Sequence, residues 1–164
     1  MRKRKAVSLV EVHDKLVLRA FTHADIPSLI AIDTKNTGVA KPEYWRRKLA
    51  PYVVAYEASA DAGGNFLTRA AEIDGNLVGF LIGEIRQWEF GQTACGWITA
   101  LGVDPQWQKL GIGRRLLAEL LDYYREQSMP DVRTIVELLD ADLLRFFHSM
   151  GFVRGPYVEL QKLL

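Results

Sequence analysis

Cysteine is nearly missing from this chain. A single thiol, Cys95, excludes an internal disulfide and suits a reducing cytoplasm. It stands at the head of a strand beside Gly96 and Trp97 with no positioned base nearby in sequence. It therefore reads as a packed thiol rather than a nucleophile. An excess of one charge is missing too: 21 Lys and Arg against 20 Asp and Glu leave +1, a balance that points to neither nucleic acid nor a membrane surface. No apolar run approaches the ~18 residues of a membrane span, and no signal-peptide core follows the basic start. Repeats and low-complexity segments are absent as well. The cluster Arg2-Lys3-Arg4-Lys5 reads as a solvated tail, so residues 1–14 are expected as a basic N-terminal tail and residues 15–164 as one domain. With 49% apolar and 25% charged residues, 164 residues suffice for a full globular core.

The informative stretch is WITALGVDPQWQKLGIGRRLLAELLDYYREQ, residues 97–127. Residues 98–103 are β-rich and mostly apolar, as a strand buried on both faces should be. Asp104-Pro105 breaks the strand, because proline cannot donate to a ladder. A helix starts at Arg114, with Leu116, Leu117, Leu120, Leu121 and Tyr124 on one apolar face. A strand feeding a glycine-bearing loop into a helix N-terminus is an anion site, because first-turn N–H groups lack intrahelical partners and the helix dipole is positive there. A Walker loop needs Lys-Ser/Thr after its last glycine, but Arg114-Arg115 follows Gly113. A dinucleotide fingerprint needs a small residue where this chain has Leu116. Gln108-Lys109-Leu110-Gly111-Ile112-Gly113 fits neither; it fits the pattern Q/R-x-x-G-x-G/A.

Residues 16–21 read as a first strand, Thr22 as an N-cap, and Ile26, Leu29, Ile30 and Ile32 as the face of a helix ending near Asp33. A loop over 34–40 leads to Lys41-Pro42 and a second helix through about Leu49. Residues 51–65 read as a connection turning at 61–65. Residues 66–73 and 76–88 are strands joined by Asp74-Gly75, a strong hairpin signal. Gly79 and Gly83 mark a bulge or a close backbone approach, and Phe90-Gly91-Gln92 a turn. After Met129-Pro130 a strand is expected over 133–138 and a helix over 141–150 capped by Asp140. Gly151 stops that helix, and closing strands are expected at 152–153 and 158–163.

The 108–113 loop, with Val103-Asp104-Pro105 upstream, resembles the GNAT N-acetyltransferase superfamily, whose members bind the acetyl-CoA pyrophosphate on such a loop. The opening Arg19-x-Phe21 followed by Asp25-Ile26-Pro27-x-Leu29 resembles its usual start, and the element order matches over most of the chain. The resemblance implies a mixed α/β (α+β) sheet: antiparallel N-terminal strands, a central splayed parallel pair and about four helices. It implies acetyl transfer from acetyl-CoA, the cosubstrate, to a primary amine of a small molecule or protein, with no metal. No nucleic acid or membrane partner is expected, and a homodimer is allowed. It places Leu101, Gly102 and Val103 along the pantetheine arm and Gln108, Lys109, Leu110, Gly111, Ile112, Gly113 and Arg114 at the pyrophosphate. Tyr44, Trp45 and Arg46 become candidates for the acceptor groove. Many relatives carry a base on the central strand, where residues 98–103 have no carboxylate; Glu84 and Glu137 on the flanking strands are the candidates, and either needs a raised pKa. The chain departs from the family where many members have a tyrosine acid and an asparagine: it has Phe147 and Asp140, which the resemblance still places as cofactor-binding positions, Phe147 packing near the CoA sulfur. His148 neighbours the vacant position but points about 100° away. Because Phe147 has no proton to give, a silent acyl-CoA-binding sensor or interaction module is the alternative.

Overall fold

The computed structural model describes residues 9–58, 65–87 and 93–163, which fall into two compact units divided after Thr134. In the first unit the order is α1 (Leu9–Lys15), β1 (Val17–Arg19), α2 (Ile26–Thr37), α3 (Pro42–Ala58), β2 (Phe66–Ile73), β3 (Asn76–Gln87), β4 (Ala94–Val103), α4 (Ile112–Glu126) and β5 (Val132–Arg133). The five strands form one sheet in sequence order, antiparallel except for the β4–β5 pair. The mixed sheet expected from the sequence is therefore present.

Two apolar faces sandwich this sheet. On one, Leu29 and Ile32 of α2 and Trp45, Leu49 and Tyr52 of α3 pack with Ala70, Phe80 and Ile82. On the other lies α4, with Leu116, Leu117, Leu120 and Tyr124 buried. The strands meet α4 closely because they carry glycine there. A Cβ on Gly96 would lie 2.6 Å from the Tyr124 ring, and one on Gly83 2.5 Å from its hydroxyl. That ring cannot easily give way: its hydroxyl sits 2.9 Å from the Trp97 carbonyl and 3.0 Å from the Glu84 carbonyl, and accepts from the Trp97 N–H at 3.2 Å. Gly96→Ala is expected to destabilise the protein by about 1–3 kcal/mol through overpacking, read as a lower denaturant midpoint at unchanged slope.

The Asp74-Gly75 hairpin forms as expected, with φ of 49° and 77° at its two turn residues. Several boundaries differ from the sequence reading. The stretch read as a tail contains α1, where Val12 is fully buried. The first long helix continues past Asp33 to Thr37 and stops at Gly38 (φ 73°), whose N–H bonds the Thr34 carbonyl. The second does not end near Leu49 but runs through Pro51 to Ala58. Trp45, Leu49, Tyr52 and Val53 continue one buried stripe across the proline, and their burial outweighs the ~3 kcal/mol that an interior proline costs. The cluster at residues 2–5 and the turns at 61–64 and 90–92 lie outside the described residues.

The strand expected over 133–138 shrinks to Val132–Arg133. In the second unit α5 (Ala141–Ser149) is the regular element, capped by the Asp140 carboxylate accepting from the Leu143 N–H at 2.9 Å. Its Phe147 is buried with edge-on rings of Phe146 and Phe152 beside it. Residues 152–163 carry no strand, against expectation. Gly155-Pro156 interrupts the run, and Val153, Val158, Leu160 and Leu163 are exposed, so their β-favouring side chains gain no packing from extended pairing.

Candidate active site

The site is organised by β4. Its register with β3 passes from Ile82↔Ala100 to Gly83↔Ile98, leaving Thr99 as a bulge residue. On its other side β4 is paired with β5 only at Gly96↔Val132 and Trp97↔Arg133. Beyond that point, among the described residues, the edge of β4 has no ladder. The Asp104 N–H bonds the Val78 carbonyl of β3 at 2.9 Å, so by strand alternation Gly102 also turns its main chain toward β3. Leu101 and Val103 turn theirs to the open edge. Gly102 serves packing as well, because a Cβ there would lie 2.5 Å from the Phe80 ring.

The loop after β4 is held by α2. Asp104 accepts from the Gln106 N–H at 3.0 Å and from Lys35 Nζ at 2.6 Å. Asn36 Nδ2 and Gln108 Nε2 each donate to the Val103 carbonyl at 3.1 Å, and Gln108 also donates to Asn36 Oδ1 at 3.0 Å. The chain then needs two left-handed residues, Lys109 (φ 62°) and Gly111 (φ 82°), to turn into α4. A non-glycine residue held there is a strained conformation of the kind found at ligand-binding turns. The Arg115 N–H bonds the Gly111 carbonyl at 3.0 Å, so the N–H groups of Ile112 and Gly113 precede the first i to i−4 bond of α4. Ile112 is buried and anchors the turn, Leu110 is half-buried, and Lys109, Gly111 and Arg114 are exposed. The residues singled out from 108–114 thus lie together on one turn into α4, beside the edge of β4.

Glu84, partly buried on β3, accepts from the Tyr52 hydroxyl and from Arg86 Nε at 2.5 Å. Burial raises its carboxyl, but the Tyr52 hydrogen bond and the Arg86 and Lys48 charges outweigh that and hold it below the usual range. Burial and the Glu84 charge in turn push the Tyr52 phenol up, beyond the reach of ordinary pH. This direction is opposite to the one a base near neutral pH needs. Glu137 is exposed and lies outside any strand, with its carbonyl accepting from the Asp140 N–H at 3.1 Å.

A cleft of ≈ 270 Å³ opens against Thr99, Ala100 and Leu101 of β4, with Asp33, Lys41 and Trp45 on its other side. Of the aromatics named from the sequence, Tyr44 and Trp45 line it. Arg46 instead pairs with Glu43 on the surface. Asp33 is the carboxylate on this cleft, and sequence reasoning missed it. Its partners Lys41 and Trp45 lie 8 and 12 residues downstream, with no local pattern to link them. Asn36 and Lys35 were missed for the same reason.

Comparison with known proteins agrees with this geometry. The profile described as "Acetyltransferase (GNAT) family" matches residues 26–152, and the chain belongs to that family. A mycothiol acetyltransferase of Acidothermus cellulolyticus is 36% identical over 106 residues, 58% of this chain and 32% of that protein. One from Thermomonospora curvata is 35% identical over 94 residues, 57% of this chain and 29% of its own length. The chain thus spans about a third of the curated relatives it matches. Among solved structures, AAC(6')-Iy in complex with the bisubstrate analogue CoA-S-monomethyl-acetylneamine superposes at a TM-score of 0.73 with 12% identity, over 91% of this chain and 98% of that one. An aminoglycoside acetyltransferase from an uncultured soil metagenomic sample, in complex with sisomicin, gives 0.67 with 21% identity, over 94% and 99%. At these identities the structural likeness speaks to the fold. Among the described residues, no helix is long and apolar enough to cross a membrane and no group of three His, Cys, Asp or Glu side chains gathers to hold a metal.

Proposed function

We propose that this chain transfers the acetyl group of acetyl-CoA to a primary amine, working in the cytoplasm. One observation carries the reading: the left-handed turn at Lys109–Gly111 into the N-terminus of α4 adjoins a β4 edge that, among the described residues, has no ladder beyond Trp97. A pyrophosphate suits the turn, and a pantetheine arm can pair with the Leu101 main chain and the Val103 N–H as a strand would, the Val103 carbonyl being held by Asn36 and Gln108. In the reaction the amine nitrogen attacks the thioester carbonyl carbon. The C–S bond breaks, CoA leaves as thiolate, and the new amide nitrogen sheds one proton. Charge developing on the carbonyl oxygen is met by main-chain N–H groups of β4. Phe147 offers no proton, so the thiolate departs unassisted by that side chain, and Asp140 serves as a helix cap. Relatives named for mycothiol and structural neighbours named for aminoglycosides support a small-molecule amine as acceptor over a protein.

The test is acetyl-CoA binding by calorimetry beside acceptor-dependent CoA release over a panel of amines. Acetyl-CoA that does not bind, or binds with no turnover on any amine, overturns the reading. Of the two carboxylates considered for the base, Glu84 is held too low to be efficient. Glu84→Gln is expected to lower kcat by less than the ~10²–10⁴ of a true general base, with acetyl-CoA affinity kept. A loss within that range, with the acidic limb of the rate profile gone, would make Glu84 the base. The parallel Glu137→Gln variant assigns the role to Glu137 if the large loss appears there.

A further inference from the structure

Asp33, one turn before the end of α2, is a carboxylate with a tenth of its side chain exposed, in the cleft where β4 presents Thr99 and Leu101. Two donors hold it, and they differ in kind. The Trp45 indole N–H, itself buried, donates to Oδ2 at 2.8 Å, and its ring is locked edge-on against Phe80. Lys41 Nζ lies 3.1 Å from the same oxygen and 3.2 Å from Oδ1, but its side chain is 37% exposed on a flexible four-carbon stem. One partner is fixed and the other is free to leave. A carboxylate bound this way keeps its orientation when its cation is exchanged.

We propose that Asp33 receives the ammonium group of the acceptor and that Lys41 is the cation this acceptor displaces. The proposal rests on the acetyl-transfer reading and adds the acceptor's chemistry: a small cationic primary amine. The volume of ≈ 270 Å³ sets the size, the Asp33 carboxylate sets the charge, and the exposed Tyr44 ring on the cleft adds a surface for an apolar or ring-bearing body. The exchange brings the amine into the cleft on which the bulged strand opens. There it need only lose a proton to attack. Without an incoming cation, Lys41 keeps the buried carboxylate paired, which an empty cleft requires.

The two partners make opposite predictions, which separates recognition from mere packing. With acetyl-CoA and, as probes, glucosamine, phenylethylamine and spermidine, Asp33→Asn keeps an oxygen for the Trp45 indole but removes the charge. KM for any probe turned over should rise at least tenfold, with acetyl-CoA affinity unchanged. Lys41→Met removes the competing cation, and KM for the same probe should fall severalfold. A pair that only holds the fold would be damaged by either change, so KM moving the same way in both folded variants, or in neither, overturns the proposal. Wild type that binds acetyl-CoA but acetylates none of the three probes overturns it as well, while leaving the cofactor site standing. Wild type that does not bind acetyl-CoA removes the transferase reading itself.

Discussion

Gly113→Glu is expected to weaken acetyl-CoA binding by at least tenfold, ~1.4 kcal/mol, while the protein still folds. Gly113 lies in the first turn of α4, two residues after the left-handed Gly111, where the helix presents its N-terminal N–H groups. A glutamate places a Cβ where an anion must approach the backbone, and a carboxylate where the helix dipole attracts a phosphate. The added carboxylate then competes for the N–H groups that the pyrophosphate needs. Fold stability should change little, because acidic side chains suit a helix N-terminus and Gly113 is partly exposed. Calorimetry on the folded variant decides: unchanged affinity would mean that the cofactor's phosphates bind elsewhere.

Arg19→Met is expected to cost about 3 kcal/mol of stability at neutral pH. Arg19 Nη1 and Nη2 each donate to the Asp25 carboxylate at 2.7 Å, and Nε donates to Glu72 at 2.8 Å, tying β1 to both β2 and the turn before α2. Asp25 is almost fully buried and also accepts from the Thr22 N–H at 2.7 Å and its hydroxyl at 2.9 Å. Burial raises the Asp25 carboxyl, but Arg19 and Thr22 outweigh it and hold the group below its usual range. A carboxylate depressed in the folded state contributes stability above its unfolded pKa, roughly 3.9, and loses it as pH falls through the folded value. Removing the guanidinium leaves a buried charge with its hydroxyl and N–H partners alone. The difference between wild type and variant should therefore be largest above about pH 4 and shrink as Asp25 becomes protonated in both. Urea titrations at pH 7 and pH 3 read this directly. A difference of equal size at both values would trace the loss to Glu72 or to packing of the Arg19 stem instead.

Local chemistry made much of this protein legible in its sequence. The Asp74-Gly75 hairpin, the strands on either side, the glycine turn into α4 and the Asp140 cap each depend on residues within a few positions of one another. A period of two or 3.6 and a residue that tolerates positive φ suffice to specify such features. The same holds for the shape of the turn at 108–114, because its glycines and the helix start after them lie within a few positions of one another. Only tertiary structure decided the rest. Whether α3 survives Pro51 depended on buried contacts of Tyr52 and Val53 that no local rule weighs. Residues 158–163 have the pattern of a strand and form none, since a strand exists only where an edge and a buried face await it. The carboxylates divided in the same way. Glu84 looked like a base from its place on β3, but Tyr52, 32 residues away, lowers its pKa. Asp33 looked like a helix end, yet Lys41, Trp45 and a strand more than sixty residues downstream make it the carboxylate on the cleft. The identity of a side chain is local, but its proton affinity and its neighbours belong to the fold, because both are set by whichever distant groups share its burial.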